Sequence, residues 1–226
     1  MTYAAKIFTP VLIAVTCQLL MACSPATYEV VGTGPVLPTP TPPPPTSVSP
    51  APPALGQIQE IVLAFNNTQE AQGLEAITPG LDCQLFTVPI NTTSIATSIL
   101  TPVGGFLNVS GFNQPNCSGC GLNVLPEALQ SVYTTYFELQ CTGYLVSTTD
   151  AWHTLALPSD DGAIVSVGGQ QVVNNDGLHS VSTATSAVFL STGVHPVEID
   201  YLQGPGLMAL QLFEDGSIID PALFYH

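Results

Sequence analysis

The chain has 226 residues, with 46% hydrophobic side chains but only 8% charged ones, where globular domains usually carry about a quarter charged. Lys6 is the single Lys or Arg, and sixteen acidic residues follow it, for a formal net charge of −15. Nucleic acid is thereby excluded as a partner, because neutralising phosphates takes Lys or Arg. An anionic membrane surface cannot be gripped by a basic patch either; carboxylates without internal counter-charge suit a divalent cation or a neutral ligand.

Residues 1–22 have the pattern of an export signal: Lys6 as the positive n-region, then a nearly continuous apolar run from Ile7 to Ala22 that ends in small residues. That run is short for a membrane span. Leu20-Met21-Ala22-Cys23 resembles the lipobox of bacterial lipoproteins, although Met21 stands where a smaller residue is usual. The resemblance implies acylation of Cys23, with chains such as palmitate, and anchoring in a lipid membrane. Ser24 after the cysteine resembles the signal for the bacterial outer membrane or cell surface. The alternatives are an ordinary secretory signal cut nearby or a simple membrane anchor.

Residues 23–54 form a linker dominated by Pro, Thr and Ser, with Pro42-Pro43-Pro44-Pro45 at its centre. Such a segment buries no core; it is expected to be a disordered but extended stalk of polyproline II type. Residues 55–78 are a lead-in segment. Leu55, Ile58, Ile61, Val62 and Phe65 follow the spacing of a short amphipathic helix, with a leading strand or loose linker as the alternative. Asn66, Asn91, Asn108 and Asn116 each open an N-x-Ser/Thr tripeptide, which the lipobox makes incidental.

With Cys17 in the signal and Cys23 acylated, Cys83, Cys117, Cys120 and Cys141 remain. Four cysteines in an exported chain imply two disulfides, with three connectivities open. Cys117-Ser-Gly-Cys120 has redox or zinc spacing. It lies in a Gly/Asn/Pro/Ser loop without a nearby second ligand pair, which favours a structural role.

Residues 79–226 read as one all-β domain, an antiparallel β-sandwich, with short β-branched runs separated by Gly, Asn, Asp and Pro clusters. Gly168-Gly169 between Val165-Ser-Val and Gln171-Val-Val is a two-residue hairpin turn. His195, Val197, Ile199 and Tyr201 share one strand face, with Pro196, Glu198 and Asp200 on the other. Leu207 to Phe213 is a further apolar strand. Trp152, at the start of the strand Trp152–Leu157, is expected in the core rather than as a stacking platform.

Asp160-Asp161-Gly162 falls between that strand and Ala163–Val167. A turn is the simplest account. Yet adjacent carboxylates repel each other unless a cation neutralises them, and calcium takes six to eight oxygens from carboxylates, carbonyls and water. The surrounding text carries more. It runs Thr-Gly-Tyr-Leu-Val from Thr142, Leu-Ala-Leu-Pro-Ser-Asp-Asp-Gly-Ala from Leu155 and Val-Val-Asn-Asn-Asp-Gly-Leu-His from Val172. From Ser191 it continues Ser-Thr-Gly-Val-His-Pro-Val-Glu-Ile-Asp-Tyr-Leu-Gln-Gly-Pro-Gly-Leu-Met-Ala-Leu-Gln-Leu. This resembles the PA-fourteen domain family, named for anthrax protective antigen and shared with yeast flocculins and GLEYA-type adhesins. Gly80-Leu-Asp-Cys-Gln-Leu-Phe resembles its opening strand. Glu214-Asp215-Gly216 with Phe224-Tyr225 resembles a flocculin-type C-terminal hairpin.

The resemblance implies a cis peptide between Asp160 and Asp161, a calcium ion on both carboxylates, and sugar hydroxyls completing the coordination. It implies a second calcium loop at Gln203-Gly204-Pro205-Gly206-Leu207, with Gln203, Pro205 and Leu207 supplying oxygens. Gln203 stands in place of Asn, and Leu207 in place of an aromatic. The polar cluster Asn174, Asn175, Asp176 and His179 is either a plain turn or a ligand-facing rim. The expected function is a lipid-anchored, calcium-dependent carbohydrate-binding or adhesion module for a neutral glycan; the alternative is a calcium-stabilised structural or protein-interaction domain without sugar binding. An enzyme is not expected. Adjacent Asp residues on one turn cannot flank a scissile bond from opposite sides, and the chain has no Gly-x-Ser-x-Gly elbow, His-Glu-x-x-His or nucleotide loop.

Overall fold

The structure is a computed structural model, and it describes residues 55–226. The signal segment, Cys23 and the Pro-rich stalk lie outside the described residues. The lead-in segment is helical: α1 spans Leu55–Ala71. Its apolar spacing buries Ile58 and Val62 on the sandwich, and Phe65 packs at 5.4 Å on the ring of Tyr144. Asn66 then holds the exit of the helix, exchanging two hydrogen bonds with the backbone of Ile77.

Thirteen strands follow among the described residues: β1 Leu81–Thr87, β2 Thr101–Val109, β3 Asn113–Ser118, β4 Phe137–Ser147, β5 Ala151–Asp160, β6 Ala163–Val167, β7 Gln170–Asn175, β8 Ser182–Leu190, β9 Gly193–Gln203, β10 Leu207–Gln211, β11 Phe213–Glu214, β12 Ser217–Ile218 and β13 Phe224–Tyr225. One sheet has the order β2-β1-β4-β9-β6-β7, with β13 also on β4. The other has the order β12-β11-β5-β10-β3, with β8 also on β5. Every pairing is antiparallel. Alternation along β1, β4, β5 and β9 turns Leu85, Leu139, Leu155, Leu157 and Ile199 inward, each at most 1% exposed. Each such side chain contributes about 2 kcal/mol through burial. The fold is the expected antiparallel β-sandwich. No helix among the described residues is long and apolar enough to cross a membrane.

The connectivity left open by the sequence is Cys83–Cys141 and Cys117–Cys120. The first pair sits directly opposite in the β1–β4 register, with Cα atoms 4.0 Å apart. Gly168 and Gly169 take φ of +61° and +76°, as the two-residue hairpin between β6 and β7 demands.

Three expectations are corrected. The apolar strand Leu207 to Phe213 breaks at Leu212 into β10 and β11, which pair along β5. The C-terminal hairpin closes with Ser217–Ile218 on β11, whereas Phe224–Tyr225 pairs with β4. Trp152 is 59% exposed, not core: it lies opposite Phe189 in the β5–β8 register, ring centroids 5.8 Å apart. Strand alternation puts His153 and Leu155 inward and so turns Trp152 out.

Candidate cation and ligand site

β5 belongs to one sheet and β6 to the other, so the two residues Asp161 and Gly162 make the whole crossing at the sandwich rim. Asp160 and Asp161 are each 4% exposed, and the peptide bond between them is cis, as the resemblance implies. Two loops converge on Asp161. Its Oδ1 accepts the backbone N–H of His179 at 3.0 Å, and its Oδ2 accepts that of Gly204 at 2.8 Å. Asp160 accepts a backbone hydrogen bond from Val181.

Burial pushes both carboxyls above the ordinary Asp range, and repulsion from Asp161 adds to the effect on Asp160. The backbone donors pull both back down. The only Lys or Arg of the chain, Lys6, is outside the described residues. Glycine is required where these loops meet. A Cβ at Gly204 would lie 3.0 Å from Asp161 Oδ2 and 2.7 Å from Leu178 Cδ2. A Cβ at Gly162 would lie 2.8 Å from the backbone nitrogen of Gly177.

Behind the Asp pair, the Tyr201 hydroxyl contacts two acceptors, the Asp160 carbonyl and Gln203 Oε1. Gln203 is fully buried, and its Nε2 donates to the carbonyls of Leu207 at 2.8 Å and Gly204 at 3.2 Å. A hydroxyl has one hydrogen and cannot serve two acceptors fully. A half-turn of the Gln203 amide would let Nε2 donate to the Tyr201 oxygen while Tyr201 donates to Asp160. It would also turn Oε1 toward the Leu207 and Gly204 carbonyls, next to two buried carboxylates. An all-oxygen set of that kind fits calcium. In the arrangement described here Gln203 presents its nitrogen, not its oxygen, to Leu207. Pro205 is in the same connection between β9 and β10.

The cluster after β7 borders this site, but its side chains already have hydrogen-bond partners within the domain. Asn175 Nδ2 donates to Ser159 Oγ at 2.8 Å. Asp176 holds Ser94 Oγ and the N–H of Ile95 at 2.6 and 2.7 Å. Asn174 Oδ1 accepts the N–H of Asp176. The His179 ring lies between the carbonyls of Asn175 and Ser180. These residues thus shape the rim, and His179 holds Asp161 through its backbone N–H. A cavity of about 310 Å³ lined by Phe106, Asn108 and Val124, among others, includes none of the site residues.

A PA14 domain model matches residues 127–210, which span the Asp pair, the cluster after β7 and the Gln203 loop. Over these residues the chain is similar to the PA14 domain family. Solved structures agree on the fold. The PA14 domain of the antifreeze protein MpAFP is similar at 14% identity, covering 67% of this chain and 92% of that one, with a TM-score of 0.52. The PA14 sugar-binding domain from an RTX adhesin is similar at 20% identity, covering 66% and 99%, with a TM-score of 0.50. An anti-sigma factor domain-containing protein is similar at 15% identity and a TM-score of 0.50; the match covers 66% of this chain and about half, 48%, of that protein. No curated protein matches the sequence.

Sequence reasoning named the Asp pair and the Gln203 loop, and the structure brings them together. It did not name Tyr201 as a link between them, nor the backbone N–H groups of His179 and Gly204. Tyr201 carried one signal, a hydroxyl on a core-facing strand position that has to find a partner.

Proposed function

We propose that the chain is a non-enzymatic, calcium-dependent carbohydrate-binding or adhesion module, exported and lipid-anchored through Cys23 at the outer membrane or cell surface of a bacterium. The observation that carries it is the pair of buried neighbouring carboxylates at the rim, with no Lys or Arg among the described residues to offset them. Asp160 and Asp161 would hold the ion, joined by the carbonyls of Pro205 and Leu207 and, after its half-turn, by Gln203 Oε1. Bound calcium would offer coordination positions to neighbouring hydroxyls of a neutral glycan. The chain's own residues orient the carboxylates and close the site from behind. The sugar-binding description of the similar RTX adhesin domain supports this reading.

A second reading is favoured by a specific observation: Asn174, Asn175, Asp176 and His179 are tied into local hydrogen bonds, and Leu207 offers no aromatic ring. Calcium would then stabilise a structural or protein-interaction domain without sugar binding. Calcium calorimetry on the purified protein, followed by glycan-array binding with calcium or with EDTA, separates the two. The first reading expects calcium uptake and array signals that both vanish in Asp161→Asn. Uptake with a blank array leaves only the second, and no uptake overturns both.

A further inference from the structure

β5 carries a second polar constellation at its opposite end. Asp160 closes the strand and His153 lies seven residues earlier, a span of about 23 Å at the rise of an extended chain. His153 Nδ1 is 2.9 Å from Glu214 Oε1 and 3.1 Å from Asp215 Oδ2. One nitrogen therefore faces two carboxylate oxygens, and a ring nitrogen carries at most one hydrogen. A hydrogen there serves one carboxylate well and leaves the neighbouring one under-served, with no Lys or Arg among the described residues to help. One divalent cation would serve all three atoms.

The three groups are positioned before any ion arrives. Glu214 and Asp215 are brought to β5 by the β11–β12 hairpin, where Glu214 is registered against Leu155. Asp215, at φ +50°, is clamped on both sides. Its N–H donates to the Thr154 carbonyl at 2.9 Å, and its Oδ1 accepts the Thr154 N–H at 2.8 Å. That second bond fixes which oxygen, Oδ2, turns to the imidazole, the outer-shell support that metal ligands require. The side chains of His153, Glu214 and Asp215 are 11%, 19% and 23% exposed, shielded yet reachable. Their ligand atoms all lie within 4.8 Å of one another.

We propose that His153, Glu214 and Asp215 form a binding site for a first-row transition cation of the zinc class, separate from the Asp160–Asp161 site. An imidazole nitrogen among the donors selects zinc-type ions over calcium, which takes oxygens. Three protein ligands leave one tetrahedral position for water. The site ties the β11–β12 hairpin to the start of β5.

Zinc is titrated into the purified protein with calcium present at saturation, and cobalt(II) is used as the optical probe. One equivalent is expected, with the visible bands of a four- or five-coordinate cobalt ion. His153→Ala and Glu214→Gln should each weaken uptake at least tenfold, and Asp161→Asn should leave it unchanged. Since variants can perturb folding, the unaltered protein supplies a separate readout. It has only four histidines, and in a histidine-selective NMR spectrum the His153 ring should shift first on adding zinc. Absence of uptake, uptake retained in His153→Ala, or a His153 signal that stays still while zinc binds would each overturn the proposal. Failure of calcium binding would leave it standing, because the two sites share no residue.

Discussion

Two pairs of carboxylates in this sandwich have buried oxygens, and the chain treats them differently. Asp160 and Asp161 at the rim receive backbone N–H groups from the loops around them, three in all. Glu138 and Asp200 lie on the outer face of the β4–β9 ladder, beneath the turn Ile95–Thr97. Gln140 is opposite Asp200, so Glu138 is its diagonal neighbour on the same face. Here one oxygen of each carboxylate, Glu138 Oε2 and Asp200 Oδ1, is buried without a partner. Burial pushes Asp200 up to about 7, helped by Glu198, Glu138 and Asp176, and pushes Glu138 up as well. The rim pair is held by backbone N–H groups from two loops, whereas the second pair leaves a buried oxygen on each residue without a donor.

The largest effect should come from breaking the N–H-held pair. Asp161→Ala strands the N–H groups of His179 and Gly204, each at about 1–3 kcal/mol for a buried unsatisfied donor, so urea unfolding should show a loss of about 3 kcal/mol without calcium. It should also abolish the calcium-induced rise in Tm. A loss below about 1 kcal/mol would mean that the two loops do not depend on Asp161.

The second pair is tested by Asp200→Asn. A carboxyl whose folded value is raised binds more protons folded than unfolded between pH 3.8 and about 7. Stability is therefore fullest below that window and falls as pH rises through it. At 1.36 kcal/mol per pH unit the fall is on the order of a few kcal/mol. The Asn variant should be flatter across the window and more stable than the parent at pH 8, read from Tm against pH. An unchanged slope would remove Asp200 as its source.

Tyr201→Phe sharpens the contrast on the rim side. It deletes the hydroxyl that joins Asp160 to Gln203 and should cost about 1 kcal/mol, with weaker calcium uptake by calorimetry and no change in the pH slope assigned to Asp200. The smallest effect is expected at Trp152, which belongs to neither pair. Being largely exposed, Trp152→Ala should cost less than about 0.5 kcal/mol, against the 3–5 kcal/mol of a core aromatic.

The two pairs also differ in how visible they were beforehand. Asp160-Asp161-Gly162 stands out because adjacent like charges need an explanation, and the residues around it carry a family pattern. Glu138 stood out nowhere, and Asp200 looked like an ordinary solvent-facing residue on the polar side of β9. That side is exposed at Pro196 and Glu198, but at Asp200 the turn at Ile95–Thr97, capped by Ser94 and pinned by Asp176, partly covers it. Trp152 failed in the opposite sense, since an aromatic at a strand start carries no mark of the face it occupies.

Local pattern by itself determined the β-sandwich, the hairpin at Gly168-Gly169 and the face assignment of β9, because strand alternation and turn chemistry act over a few residues; the residues proposed to hold calcium came from the resemblance to the PA14 family. Tertiary structure alone decided the helical state of Leu55–Ala71, where packing of Ile58 and Val62 settles an ambiguous spacing. It also paired the cysteines, and it brought His153 beside Glu214 and Asp215 across 61 and 62 positions of chain, counted from their residue numbers. Those outcomes depend on which strands become neighbours, and that is set by burial across the whole domain.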